Sequence, residues 1–295
     1  MISGSKDQND ATSEADASLG REGDRKFVVA LARGLEVLRC FRARDGFLTN
    51  QEIAERTSLP KPTVTRITYT LCELGYLQQN PRLGKYQLAP GAITLGYAAL
   101  ANLGIRHVAR EFMDHAAELL AAPVALGVLD RSKALYVDIS RGSATFTVQL
   151  DIGSRIPLVT TAMGRALLVC LPEEEREAHI RQAIARDPRD EALIRKTMNT
   201  AVDDYAKHGF VVSTGEWRSD IYAAGAPLVA DDGSGIYAFN CGAPPYHFPP
   251  ELLYSRIGPA MATLARAVDD TLSGRRNAVM HGDWLRLPQT RETPA

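Results

Sequence analysis

The chain has 295 residues, 45% hydrophobic and 23% charged, with a formal net charge of −1, the balance of an ordinary soluble globular protein of about two domains. No apolar run approaches the roughly 18 residues of a membrane span, and Met1–Asp24 lacks the apolar stretch of a signal peptide. A membrane partner is therefore not expected, and the cytoplasm is the expected location. The charge is uneven: residues 1–24 carry −4, residues 25–90 carry +6 and the remainder carries −3. A basic module on an otherwise acidic chain points to a polyanion partner for that module alone.

Residues 1–24, rich in Ser, Asp and Glu, are expected to form a disordered tail. Phe27 to Arg42 then reads as a first helix, with Val29, Leu31, Leu35, Leu38 and Phe41 recurring on one face. After an Asp45-Gly46 turn comes a second helix, about Gln51 to Thr57. Thr49 or Asn50 is its N-cap, Glu52 stands near the capping-box position, and Ile53 and Ala54 face inward. Ser58-Leu59-Pro60 breaks it. A third helix, Pro62 to Leu74, is expected to bury Val64, Ile67, Leu71 and Leu74 and to end at Gly75. Tyr76–Gln78 and Lys85–Leu88 read as strands around the hairpin tip Asn80–Gly84. Three helices and a two-stranded ribbon over 25–90 make a winged helix-turn-helix.

Residues 91–121, rich in Ala and Leu, read as a linker helix. Over 122–274 the pattern changes to runs of strand length: Val124–Leu129, Leu135–Ile139, Phe146–Leu150, Phe210–Ser213, Tyr222–Val229 and Ile236–Cys241. Helices are set among them at Ala162–Cys170, Glu173–Ala185, Glu191–His208 and Pro250–Leu272, which argues for an α+β sensor-type domain. Residues 275–295 read as a second disordered tail. The four cysteines form no CxxC and have no His at ligand spacing, so they read as small buried hydrophobes in a reducing compartment. Neither a metal nor a cofactor is expected.

In a helix-turn-helix the second helix lies in the major groove, and its N-terminal half meets base edges. With Val64 and Ile67 turned inward, Lys61, Thr63, Thr65, Arg66 and Tyr69 are left on the outer face. Arg and Lys donate to guanine, Thr touches phosphates or a thymine methyl, and Tyr donates to a phosphate. Arg82 and Lys85 bracket the hairpin tip, and Arg25 and Lys26 add basic groups at the start of the module. Any one of these alone would be an ordinary solvated side chain. Together, in this order, they point to double-stranded DNA.

At this point residues 27–274 resemble the IclR-type transcription regulators. In the N-terminal part the resemblance is carried by Ala32-Arg33-Gly34-Leu35-Glu36-Val37-Leu38, Glu52-Ile53-Ala54, Leu59–Arg66 and Leu74-Gly75-Tyr76-Leu77. Further on it is carried by Thr161–Leu167, Gly215-Glu216-Trp217 and Ala224-Gly225-Ala226-Pro227-Leu228. The resemblance implies a winged helix followed by a GAF-like effector-binding domain, homo-oligomers (dimer or tetramer) on palindromic DNA operators, and control by a small organic acid effector. It also implies an effector pocket between the central sheet and the loop entering the Ala162-Met163-Gly164 helix. Thr145 and Val148 on the third strand would line it, with Ile156, Ala162 and Met163 at the loop and helix start, then Ser213, Ile221, Ala223, Asn240 and Gly242. The helix N-terminus at Thr161–Met163 would offer free N–H groups to a carboxylate, with Ser213 and Asn240 fixing its polar atoms.

The chain departs from the family where Asn240-Cys241-Gly242-Ala243-Pro244 stands for a frequent Ser-Val-Ser-Gly-Pro, and where Asp220 and Tyr222 replace residues that are often smaller. No relative's ligand is therefore transferred. Two other readings compete. An enzyme lacks support: the six histidines include no HxxxH or HExxH, and there is no Gly-x-Ser-x-Gly, Walker loop or Gly-x-Gly-x-x-Gly. An architectural DNA-binding protein would have no use for so large a second domain. A ligand that shifts DNA affinity without being consumed separates a regulator from both.

Overall fold

The computed structural model describes residues 26–42, 45–143, 150–231, 233, 235–275 and 285. The expected tails lie outside these, apart from Arg275 and Leu285, as do Arg25 and residues 146–149 of the expected third strand. The chain divides into two compact units, Met1–Asn102 and Leu103–Ala295.

The first unit contains α1 (Val29–Arg39), β1 (Leu48–Thr49), α2 (Asn50–Thr57), α3 (Lys61–Glu73), the hairpin β2 (Leu77–Asn80) and β3 (Lys85–Leu88), and α4 (Pro90–Ala101). Its sheet has the order β1-β3-β2; β1, a two-residue strand absent from the sequence reading, pairs with β3. α2 starts with a reciprocal capping box. Thr49 Oγ1 accepts from Glu52 N at 3.1 Å, and Glu52 Oε2 accepts from Thr49 N at 2.7 Å. α3 ends where Gly75 adopts φ +74°: its N–H donates to Cys72 O and that of Tyr76 donates to Leu71 O, the Schellman closure. Val37, Leu48, Ile53, Val64, Leu71 and Leu77 form the core of this unit.

The buried faces differ from the expected ones. In α3 the buried residues are Val64, Thr68 and Leu71, whereas Ile67 is half-buried and Leu74 is exposed. Thr68 is tolerated inside because its hydroxyl donates to Thr65 O at 3.1 Å. Leu74 is the C-cap, where the chain is already turning away. In α1 only Val37 is buried, and the apolar residues Val29, Leu31 and Leu35 are exposed. α4 buries none of its residues; Ile93, Leu95 and Tyr97 stand open. The expected linker helix is interrupted at Asn102-Leu103 and resumes as α5 (Gly104–Leu120) in the second unit.

That unit continues with β4 (Val124–Asp130), β5 (Lys133–Ser140), β6 (Arg155–Pro157), α6 (Ala162–Val169), α7 (Glu173–Arg186), α8 (Glu191–His208), β7 (Val211–Thr214), β8 (Tyr222–Val229) and β9 (Ile236–Ala243). A turn at Pro250–Leu252 and a π-helical segment Leu253–Ile257 lead into α9 (Gly258–Leu272). Six antiparallel strands form one sheet in the order β6-β5-β4-β9-β8-β7. α5 and α9 pack together against the sheet, and α6, backed by α8, packs on it as well. The core beneath α6 joins Ala125, Tyr136, Ile156 and Ala238 of the sheet to Met163, Ala166 and Leu167. β6 escaped the sequence reading, which had placed Ile156 on a loop. Of the cysteines only Cys241 is buried; the other three are half-buried, and all four are free thiols.

Candidate functional site

Two places carry chemistry, one in each unit. In the first unit, Lys61, Thr65, Arg66 and Tyr69 are exposed along α3, while Thr63 is half-buried. Lys61, Thr65 and Tyr69 follow one another at four-residue spacing and so share a side of the helix. Asn50 Nδ2 donates to Thr65 Oγ1 at 3.0 Å, and Thr65 Oγ1 donates to Lys61 O at 3.0 Å. These bonds tie the start of α2 to α3. They also engage the only hydrogen of the Thr65 hydroxyl, leaving it an acceptor and a methyl group for an outside partner. At the wing, Asn80 Oδ1 accepts the N–H groups of Arg82 and Leu83, at 3.0 and 3.2 Å, and shapes the turn on which Arg82 is exposed. Lys85 is half-buried at the root of the wing.

In the second unit the sheet register places Ile139, Ala125, Asn240, Gly225 and Val211 in one row across five strands. The adjoining row holds Gly242, Ala223 and Ser213. Residues paired across antiparallel strands face the same side, so these rows form a floor of mostly small side chains. α6 comes down onto it. A Cβ at Gly225 would stand 2.9 Å from Ala162 O, and one at Gly127 would stand 2.2 Å from Met163 Sδ. On the helix itself, a Cβ at Gly164 would stand 2.3 Å from Leu158 Cα. Gly164 and Gly225 are thus sites of close backbone approach, whereas Gly127 leaves room for the Met163 side chain. Thr161 caps α6: its hydroxyl accepts from Gly164 N at 3.1 Å and donates to Pro157 O at 2.6 Å.

Beside the start of α6 opens a cleft with ≈ 540 Å³ of free space, its mouth included. Of the residues expected at an effector pocket, Ile156, Ala162, Ser213, Ile221, Ala223, Asn240 and Gly242 line it. Met163 does not: it is fully buried in the core, turned onto Gly127. Thr145 and Val148 lie outside the described residues. The sequence reading missed Pro123, Ala125, Tyr136, Ile139, Leu150 and Trp217 as lining residues, although Gly215-Glu216-Trp217 stood out as a motif.

Among the described residues, no charged side chain lines the cleft. The buried Arg165 of α6 instead holds its walls together. Nε donates to Val159 O at 2.9 Å, and Nη1 donates to Val212 O at 2.8 Å and to Glu216 Oε1 at 3.0 Å. Burial lowers the affinity of Arg165 for its proton, and the Glu216 carboxylate opposes that effect. Glu216 Oε2 in turn accepts from Thr214 N at 2.6 Å. On the floor, the Tyr136 hydroxyl donates to Asn240 Oδ1 at 3.1 Å. Burial pushes the Tyr136 phenol well above its usual range, so it stays protonated. No three His, Cys, Asp or Glu side chains among the described residues come together as metal ligands would. No helix among them is long and apolar enough to cross a membrane.

A winged helix-turn-helix unit followed by an α+β unit with such a cleft defines a DNA-binding regulator with a ligand-binding domain. Two protein-family models match: the IclR helix-turn-helix domain over residues 30–81, and the bacterial transcriptional regulator IclR C-terminal domain over residues 97–270. The chain belongs to the IclR family of bacterial transcriptional regulators, and is a regulator rather than an enzyme. The HTH-type transcriptional regulator TsaQ1/TsaQ2 of Comamonas testosteroni is 30% identical over 259 residues, 87% of this chain and 92% of that protein. A crystal structure of an IclR family transcriptional regulator from Brucella abortus is 42% identical, covers 86% of this chain and 96% of its own, and superposes with a TM-score of 0.78. An IclR homolog from Microbacterium hydrocarbonoxydans, complexed with 4-hydroxybenzoate, shares the fold at 20% identity and a TM-score of 0.63, over 83% of this chain and 99% of that one.

Proposed function

We propose that this regulator acts in the cytoplasm as a homo-oligomer whose operator affinity is set by a small organic acid held in the cleft. Two α3 helices enter successive major grooves. Lys61 and Arg66 meet base edges, while Thr63, Thr65, Tyr69, Arg82 and Lys85 hold the backbone or pack against bases. The observation that carries the reading is the cleft: apolar walls of Ile139, Leu150, Ile156 and Trp217, a helix N-terminus at Ala162, and the polar groups of Ser213 and Asn240. That is the composition of a site for a small acid with an apolar body. The 4-hydroxybenzoate complex of a chain sharing this fold fits the same reading. The uncovered apolar residues of α1 and α4 supply surface for self-association through the first unit.

The test is DNA binding to the intergenic region upstream of the protein's own gene at fixed salt, with wild type and Arg66→Ala, while carboxylic acids are titrated. Specific binding that Arg66→Ala abolishes and one acid shifts is the expected result. Specific binding that no acid alters would leave an architectural protein. Binding indifferent to Arg66→Ala would remove α3 from the interface.

A further inference from the structure

The floor of the cleft holds a buried polar pair, Tyr136 and Asn240. Tyr136 stands on β5 and Asn240 on β9, with β4 running between them. The β4 residues in register with them are Gly127, opposite Tyr136, and Ala125, opposite Asn240. Neither is large enough to intervene, so the phenol reaches across β4 and donates to Asn240 Oδ1 at 3.1 Å. Both residues are buried, at 5% and 7% exposure, and both line the cleft.

The inventory of donors and acceptors then decides what can rest on the pair. The phenol has one hydrogen, given to Asn240, and keeps an oxygen lone pair; Asn240 keeps its NH₂. An acceptor and a donor therefore lie side by side in a site whose apolar walls are Ile139, Leu150, Ile156 and Trp217, with Ser213 as a further polar group. A hydroxyl group, which donates and accepts at once, satisfies both. A hydrogen, methyl or halogen at the same point strips water from both and returns nothing. Asn240 lies one strand from Gly225, the residue over which α6 begins, and Tyr136 two strands further. The pair is thus set to one side of the helix N-terminus where an acid group would sit.

We infer that Tyr136 and Asn240 form a hydroxyl selector, so that the acid taken in this cleft carries a hydroxyl group besides its carboxylate. The inference rests on the reading of the cleft as the effector site. Isothermal titration calorimetry on the full chain tests it with three matched pairs: benzoate and 4-hydroxybenzoate, benzoate and 3-hydroxybenzoate, butyrate and 3-hydroxybutyrate. Wild type is expected to bind the hydroxylated member of at least one pair about tenfold or more tighter, the loss expected when buried polar groups go unpaired. Tyr136→Phe keeps the ring and is expected to reduce that preference, the ratio of the two affinities, to about threefold or less. Asn240→Ala gives the same readout should Tyr136→Phe fold poorly. Equal binding of both members of every pair by wild type overturns the selector but leaves the cleft as the effector site. So does a Tyr136→Phe loss that falls equally on both members. Failure of every acid to bind wild type overturns the effector reading and the selector with it.

Discussion

Arg165 Nη1 and Glu216 Oε1 meet at 3.0 Å within the second unit, where Arg165 is only 2% exposed. The pair fastens α6 and the segment at Val159 that leads into it to β7 at Val212 and to the turn after β7 that carries Trp217 into the cleft. Two residues from different motifs thus act as one fastening.

Removing one partner leaves a buried charge uncompensated. Glu216→Ala is expected to cost about 3 kcal/mol or more of stability in urea unfolding followed in the second unit. The same variant frees Trp217 and is expected to weaken ligand binding in calorimetry. Arg165→Lys is expected to fare little better, because an ammonium cannot span Val159, Val212 and Glu216 at once. Wild-type stability in either variant would show the pair to be dispensable.

The capping box predicts a pH effect in the first unit. The N–H of Thr49, and then its hydroxyl, hold the Glu52 carboxyl below the ordinary range of a glutamate. A depressed folded-state value means the charged form stabilises the fold, fully above the unfolded value and progressively less as pH falls through the folded one. The difference in melting temperature between wild type and Glu52→Gln should therefore be constant near neutrality and vanish in acid. Thr49→Ala, which removes the cap itself, is expected to cost about 1 kcal/mol.

The small-residue contacts predict a steep steric response. Gly164→Ala drives a methyl into the Leu158 backbone, at 2.3 Å from Cα before relaxation. Backbone cannot swing aside, so the loss is expected to reach roughly 3 kcal/mol, at the upper end for overpacking. At Gly127 the obstacle is the flexible Met163 side chain, and Gly127→Ala should cost less. Thermal denaturation of the two variants checks the order.

On DNA, Arg66 and Arg82 should separate by kind of loss. If Arg66 reads a base, Arg66→Ala removes about 1–3 kcal/mol and relaxes the preference at one operator position. If Arg82 touches phosphate, Arg82→Ala weakens all sequences alike and lowers the salt slope by about one. A binding titration on operator and scrambled DNA at several salt concentrations reads both.

Local chemistry was legible and long-range register was not. The Thr49–Glu52 cap, the Gly75 stop and the Asn80–Gly84 turn write their own geometry within a few residues, so the winged helix could be read from them. The alternation of strand-length runs and helices gave the α+β class for the same reason. β1 and β6 are two and three residues long and exist only through pairing with distant partners. Tyr136 reaches the cleft because the β4–β5 register shifts between Leu126 and Gly127, which no periodicity in β5 announces. The family resemblance places Met163 at the cleft together with Ala162. Successive helix positions point about 100° apart, and one of them meets Gly127 instead.

The floor beneath α6 bears on how such a sensor is retuned. Gly164 and Gly225 are held by the distance between backbones, so they tolerate almost no variation whatever molecule is being detected. If the cleft takes the effector as proposed, change of specificity, by natural drift or in a biosensor library, falls to the side chains that ring that floor. For this chain the productive positions to randomise are Tyr136, Trp217, Ile221 and Asn240.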